Sequence, residues 1–180
     1  MIDKLVINIS SNEDIENLNI LENSKVNHLH VTISQKEILN YNFSVLFNKL
    51  SKLEPYNRFH LDMNNFSIDD EKIEIIIEAV KNWQLREINF NISNTNLSDS
   101  QFDKLLFSSL SSIKTLEKVH LILENVQLNA NKIKTINSIL SSLPNLKHVF
   151  LNIKNNKVNL EDLTDLNKAI QKFYSREIHF

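Results

Sequence analysis

Apolar residues recur along the chain in short alternating runs: Leu5/Ile7/Ile9, Leu29/Val31/Ile33, Phe59/Leu61/Met63, Ile88/Phe90/Ile92, Val119/Leu121/Leu123, Val149/Leu151/Ile153 and, last, Ile178/Phe180. A period of two puts alternate side chains on one face of an extended backbone, so each run predicts a strand with one buried face. Counted from the first apolar residue of each run, successive strands lie 24, 30, 29, 31, 30 and 29 residues apart. Self-similarity at that period is the mark of a solenoid assembled from one supersecondary unit.

Between the runs the pattern also repeats. Two residues past the third apolar position stands a polar group, Asn65, Asn94, Asn125 and Asn155, replaced by Gln35 in the second unit and Ser11 in the first. An amide at this point of every coil is expected to hydrogen-bond the backbone of the loop that leaves the strand. Three residues further on comes another apolar residue, Ile38, Ile68, Leu97, Leu128 or Val158, and then helical spacing over 36–51, 69–82, 99–112, 130–142 and 160–173. Ser34 with Glu37 and Ser98 with Gln101 read as capping boxes, and Ser67 with Asp70 and Asn159 with Asp162 as weaker versions. On the fourth of these helices Ile133, Ile136, Ile139 and Leu140 form an apolar stripe, and Lys132, Lys134 and Asn137 its expected wet side.

A strand followed by a helix-length return cannot pair as a hairpin, so the strands are expected to be parallel. Stacking such units predicts an α/β solenoid of about six repeats, with a curved parallel sheet on the concave side and helices on the convex side. The chain reads as a single domain over 1–180. Its short first unit, 1–25, has room for only a brief helix between Glu13 and Leu21, as a terminal capping repeat does.

The spans Leu116-x-x-Val119-x-Leu121 and Leu143-Pro-Asn-Leu-Lys-His-Val-Phe-Leu151-x-Ile153-x-Asn155 resemble leucine-rich repeats. The long helix-bearing unit is similar to the ribonuclease-inhibitor class. The likeness covers practically the whole chain, but the glycine that class usually carries before its helix is absent throughout. The resemblance implies a surface for binding proteins, because members of the family include inhibitors, scaffolds, regulators of small GTPases and substrate-recognition subunits.

Composition narrows the chemistry. The 180 residues are 42% apolar and 23% charged, enough for one well-filled core. The net charge is −2, with Lys and Arg interspersed among Asp and Glu, so no basic patch for nucleic acid or an anionic membrane is expected. Cysteine is absent, which removes disulfides, thiolate metal sites and cysteine nucleophiles and fits an intracellular, most readily cytoplasmic, setting. The absence of glycine removes the glycine-dependent phosphate loops and the nucleophile elbow. The start, Met1-Ile-Asp-Lys-Leu, passes directly into a strand pattern and does not read as a signal peptide. The longest apolar run, around Ile75–Ile77, is far short of the ~20 residues of a membrane span.

Residues between the inward apolar positions should face away from the helices in three columns. The first is Lys4, His28, Arg58, Glu87, Lys118, His148, Glu177; the second Val6, His30, His60, Asn89, His120, Phe150, His179; the third Asn8, Thr32, Asp62, Asn91, Ile122, Asn152. All six histidines fall on this face, so convergence of His30, His60 and Asp62 on an ion is one reading. The other is a ladder of flat polar side chains stacked across strands, and it is preferred. Arg58, Glu87 and Lys118 read as cross-strand charge pairing. No catalytic residue, metal site, cofactor or small-molecule substrate is expected.

The apolar intrusion of Ile122 and Phe150 among Lys118, His120, His148, Asn152 and His179 marks these seven residues as the candidate partner-binding site. The last strand, 175–180, presents an outer edge with unpaired backbone groups, a second place for a partner. The expected function is that of a non-enzymatic protein–protein interaction module, a scaffold subunit bound to other proteins in a multi-subunit complex. The alternative is a regulator of an enzyme, such as an inhibitor or a GTPase-activating type of leucine-rich-repeat protein.

Overall fold

A computed structural model of the chain describes residues 2–18, 24–34 and 38–179, together with the backbone but not the side chains of 54–56. Seven strands, β1 (Ile2–Ile9), β2 (Lys25–Ile33), β3 (Glu54–Asp62), β4 (Glu87–Asn91), β5 (Lys118–Ile122), β6 (His148–Asn152) and β7 (Ser175–His179), form one sheet in sequence order. Every pairing in it is parallel. Between them run α1 (Asn12–Glu16), α2 (Asn40–Ser51), α3 (Asp70–Val80), α4 (Asp99–Asp103), α5 (Ser109–Ser111), α6 (Ala130–Ser142) and α7 (Leu160–Ile170). The α4–α5 pair is joined by a wider π turn over Lys104–Ser108. The predicted helices fall where the spacing puts them, except that the first begins at Asn40 rather than at 36 and that α3 and α7 end at Val80 and Ile170 rather than at 82 and 173.

The alternation translates directly into burial. The inward residues of β2 to β6 and of the turns that follow, such as Phe59/Leu61/Met63 and Val119/Leu121/Leu123, are 3% exposed or less. Together with the helix stripes they build one continuous apolar cluster from Ile7 to Phe173. Burying a side chain of this size contributes about 1.5–3 kcal/mol, so the inward columns dominate the stabilisation. Leu5, in the terminal strand, is only partly buried because it has a neighbour on one side alone. β3 is irregular: Val26 pairs with Pro55 and His28 with Arg58, leaving one extra residue on β3 beside a proline that offers no N–H to the ladder.

The asparagines that follow the strands have a role other than the expected one. Asn65, Asn94, Asn125 and Asn155 have φ of 61°, 57°, 52° and 59°, the left-handed region that glycine ordinarily supplies. Asparagine tolerates it better than other side-chain-bearing residues, so a chain without glycine can still turn out of each strand. Their side chains lie outward; Asn125 Nδ2 donates to Asn94 Oδ1 and Asn94 Nδ2 to Asn64 Oδ1, both at 2.9 Å. The backbone of the loop after β5 is instead held by Asn156, whose Oδ1 accepts from Val126 N and Leu128 N while its Nδ2 donates to Leu123 O. Gln35 lies outside the described residues, and Ser11 caps α1 in a capping box with Asp14.

The helix starts are likewise partly as expected. Ser98 and Gln101 form a full capping box, and Asn159 accepts from Asp162 N. The cap of α3 is Asp69, bonded to Lys72 N, rather than Ser67, because Ser67 lies two residues too early. α2 starts at the Leu39/Asn40 junction with no side-chain cap; of the expected Ser34–Glu37 pair, Glu37 lies outside the described residues. Lys132 is a further correction. Expected on the wet side of α6, it is 3% exposed, and its Nζ donates to Leu97 O and Val126 O at 2.8 Å while lying 5.5 Å from the centre of the Phe102 ring. Burial lowers its pKa.

The left-handed turns lead to a stability prediction. Asn65→Gly is expected to stay within ~0.5 kcal/mol of the native chain, whereas Asn65→Val should cost about 1–2 kcal/mol, because a β-branched residue is disfavoured at positive φ. Urea denaturation of the two variants measures the difference, and equal midpoints would disprove the strain account.

Candidate functional site

The helices cover one face of the sheet and leave the other open. On that open face strand pairing sets the rows across β1 to β6 as predicted: Lys4 beside His28, His30 beside His60, Glu87 beside Lys118, His120 beside Phe150 and Ile122 beside Asn152. β7 departs by two residues. Phe150 pairs with Glu177 and Asn152 with His179, so Glu177 moves to the middle column and His179 to the third, while Ser175 stands beside His148. The return from β6 is shorter than the repeat average. The ladder bonds Ser175 N to Lys147 O and Ile153 N to His179 O hold the strand in that register.

The shift also puts Arg176, and not Ile178, opposite Val149 at the head position that faces the helices. Its guanidinium is exposed and donates to Gln171 O at 2.9 Å. A charge at an inward position blunts the pairing tendency of an edge strand. The outer edge of β7 has no strand partner among the described residues, and a groove of about 440 Å³ beside it is lined by Leu160, Leu163, Ile170, Arg176 and Ile178 among others. Phe180, the last residue of the predicted strand, lies outside the description.

The histidine face resolves into ring stacks. His30 and His60 lie parallel, 3.9 Å apart at 8°. Face-to-face rings aim their nitrogens sideways rather than toward a shared ion. Asp62 Oδ1 is occupied by Asn64 N and Asn91 Nδ2, turned toward the strand end. His30, His60 and Asp62 therefore do not converge, and among the described residues no group of three or more His, Asp or Glu side chains is placed to hold a metal ion. His60 Nε2 and Asn89 Oδ1, on paired residues of β3 and β4, are buried without a hydrogen-bond partner. Burial first, and then the neighbouring His30, pushes the His60 pKa down to about 4, against the opposing pull of Asp62. His30 and His120 are lowered as well, in both cases chiefly by burial.

The charge ladder is present. Glu87, with a side chain only 13% exposed, meets Arg58 Nη2 at 2.8 Å and lies 3.9 Å from both Lys118 Nζ and His120 Nε2. Beyond it the seven predicted partner-binding residues occupy adjoining rows of β5 to β7. Phe150 lies between two imidazoles, with ring centres 5.6 Å from His120 and 5.0 Å from His179. Both Phe150 and Ile122 are partly covered by these neighbours rather than fully exposed. His148 meets Tyr174 edge-on at 6.0 Å.

Tyr174, 90% exposed, is a member of the cluster that the repeat pattern does not identify, and Glu177, hydrogen-bonded to His179, is one that the pattern places beside His148 rather than beside Phe150. Tyr174 belongs to a turn, and Glu177 is displaced by the register shift. Glu124, which extends the Ile122 column past the end of β5, accepts from Asn152 Nδ2 at 2.6 Å.

No family model matches the chain, and no curated protein matches it. Among solved structures it is similar to the tropomodulin C-terminal domain from Caenorhabditis elegans, with a TM-score of 0.55 and 15% identity over 95% of this chain and 83% of that one. At that identity the likeness establishes a shared fold, of leucine-rich-repeat type. No helix among the described residues is long and apolar enough to cross a membrane.

The depressed His60 pKa makes stability depend on pH with a defined sign. Between 6.5 and about 4 the unfolded chain carries a proton at residue 60 that the folded chain lacks, so this part of the stability is complete above pH 6.5 and declines as pH falls to 4. With screening at a partly solvated site the loss is about 1–2 kcal/mol. His60→Phe, which keeps a ring against His30, should remove that loss; coincident native and variant denaturation profiles across the window would refute it.

Proposed function

We propose that the chain is a single leucine-rich-repeat domain of about six units in a ribonuclease-inhibitor-like solenoid, and that it works without catalysis as a protein-binding module. The open sheet face would be its concave surface, and the site would comprise Lys118, His120, Ile122, His148, Phe150, Asn152 and His179. The observation that carries this reading is the Phe150 cluster: a phenylalanine and an isoleucine placed side by side at outward positions of a face that, Val6 on β1 apart, is otherwise polar or charged. Aromatic anchors surrounded by polar groups are the usual composition of an interface centre. The leucine-rich-repeat-type likeness supports the same use of the fold, as an analogy.

The role we assign is a scaffold subunit held in a larger intracellular assembly. The unpaired edge of β7 and its apolar groove support a second contact there, although Arg176 sets a limit on which strand could pair with it. Open-face binding and edge contact are compatible, since they use different sides of β7.

Immobilised native protein, Phe150→Glu and the helix-side variant Lys134→Glu, each exposed to extract of the source organism, provide the test. Phe150→Glu should remain folded, with a loss of about 1 kcal/mol or less, and bind its partner about thirty-fold more weakly. Lys134→Glu should match the native chain. Identical capture by all three would rule out the open face as the binding surface, and an unfolded Phe150→Glu would assign that ring to the core.

A further inference from the structure

The partner-binding reading leaves open what chemistry the Phe150 cluster recognises, and the charges around it point one way. Glu177 stands beside Phe150 in the same row, and its carboxylate meets the His179 ring. Glu124 lies at the far corner of the patch and is bonded to an amide. Neither carboxylate has a lysine or arginine partner among the described residues. The cations at the near border, Arg58 and Lys118, are already directed at Glu87.

Resting on that reading, we propose that the patch over β5–β7 receives an arginine side chain from an extended segment of a partner protein, its guanidinium lying on the exposed part of the Phe150 ring and forking to Glu177. An aromatic face attracts a cation through its quadrupole, and the planar guanidinium stacks on it better than an ammonium does. A neighbouring carboxylate then supplies charge-assisted hydrogen bonds in the plane of the fork. His120 and His179 flank the ring and restrict how the incoming group can tilt. Burial holds the His120 pKa below its ordinary value, which disfavours a positive charge on that ring beside the guest. An acidic segment would face Glu177 and Glu124, and a purely apolar one would bring no cation to either carboxylate.

Fluorescence anisotropy at low ionic strength provides the measurement, with fluorescein-labelled eight-residue peptides of alternating serine and arginine, serine and lysine, or serine and glutamate as probes. The native chain should bind the arginine peptide about three-fold more tightly than the lysine peptide, and the glutamate peptide not at all. Phe150→Leu, which keeps the site apolar, should abolish the preference for arginine over lysine. Glu177→Gln, a change to an exposed side chain, should weaken the arginine peptide by about three- to ten-fold. If Phe150→Leu does not melt cooperatively, the Glu177→Gln comparison decides alone.

Equal binding of the arginine and lysine peptides, a preference that survives Phe150→Leu, full affinity in Glu177→Gln, or no saturable binding of the arginine peptide would each overturn the arginine anchor. Those outcomes leave protein binding by the open face to the Phe150→Glu capture comparison, so the two readings fail separately.

Discussion

The fold depends on lateral hydrogen bonding between strands that follow one another in sequence. Because each strand pairs only with the one before and the one after, equivalent residues of neighbouring units come to lie side by side at one strand spacing, ~4.8 Å. That single constraint aligns the inward apolar columns into a continuous core. It also aligns the outward residues into rows, and the His30–His60 stack and the Arg58–Glu87–Lys118 ladder follow from it. Side chains thirty residues apart in the chain become neighbours without any long-range feature having to specify them.

Much of this architecture was legible from spacing. The period-two runs located the strands, the interval between them implied parallel pairing, and the alternation assigned each side chain to a face. The register of β7 was not legible, because a two-residue slide leaves every side chain on its original face and is invisible to an alternation pattern. The burial of Lys132 was hidden for another reason: its stem lines the apolar side while its amine finds two carbonyls from neighbouring loops, a tertiary match that helical periodicity does not encode. Caps were recognisable where side chain and helix start coincided, as at Ser98, and misplaced by two residues where several polar residues adjoin, as around Ser67 and Asp69.

The candidate site was legible in its centre and not at its rim. Ile122 and Phe150 stand out because they break the polarity of the outward columns on neighbouring strands, whereas Val6 does so alone on β1. Tyr174 and Glu177 complete the cluster from a turn and from a shifted strand, where repeat counting has no purchase. The amides after each strand show the converse case: their recurrence was visible, but the reason for it was backbone geometry. Four asparagines at positive φ do the work of glycine in a chain that contains none.

The short return between α7 and β7 also bears on how such a face can change over generations. Since β7 can slide by two residues without moving any side chain through the sheet, the length of the 171–174 turn chooses which residue stands next to Phe150. At its present length that residue is a carboxylate; a deletion of two residues, made good by Ser175 and Arg176 entering the turn, would bring the imidazole of His179 into the same place. Insertions and deletions in surface turns are among the best tolerated of mutations. The chemistry offered to a visitor could therefore be exchanged wholesale by translation of an intact strand, with the core left as it is.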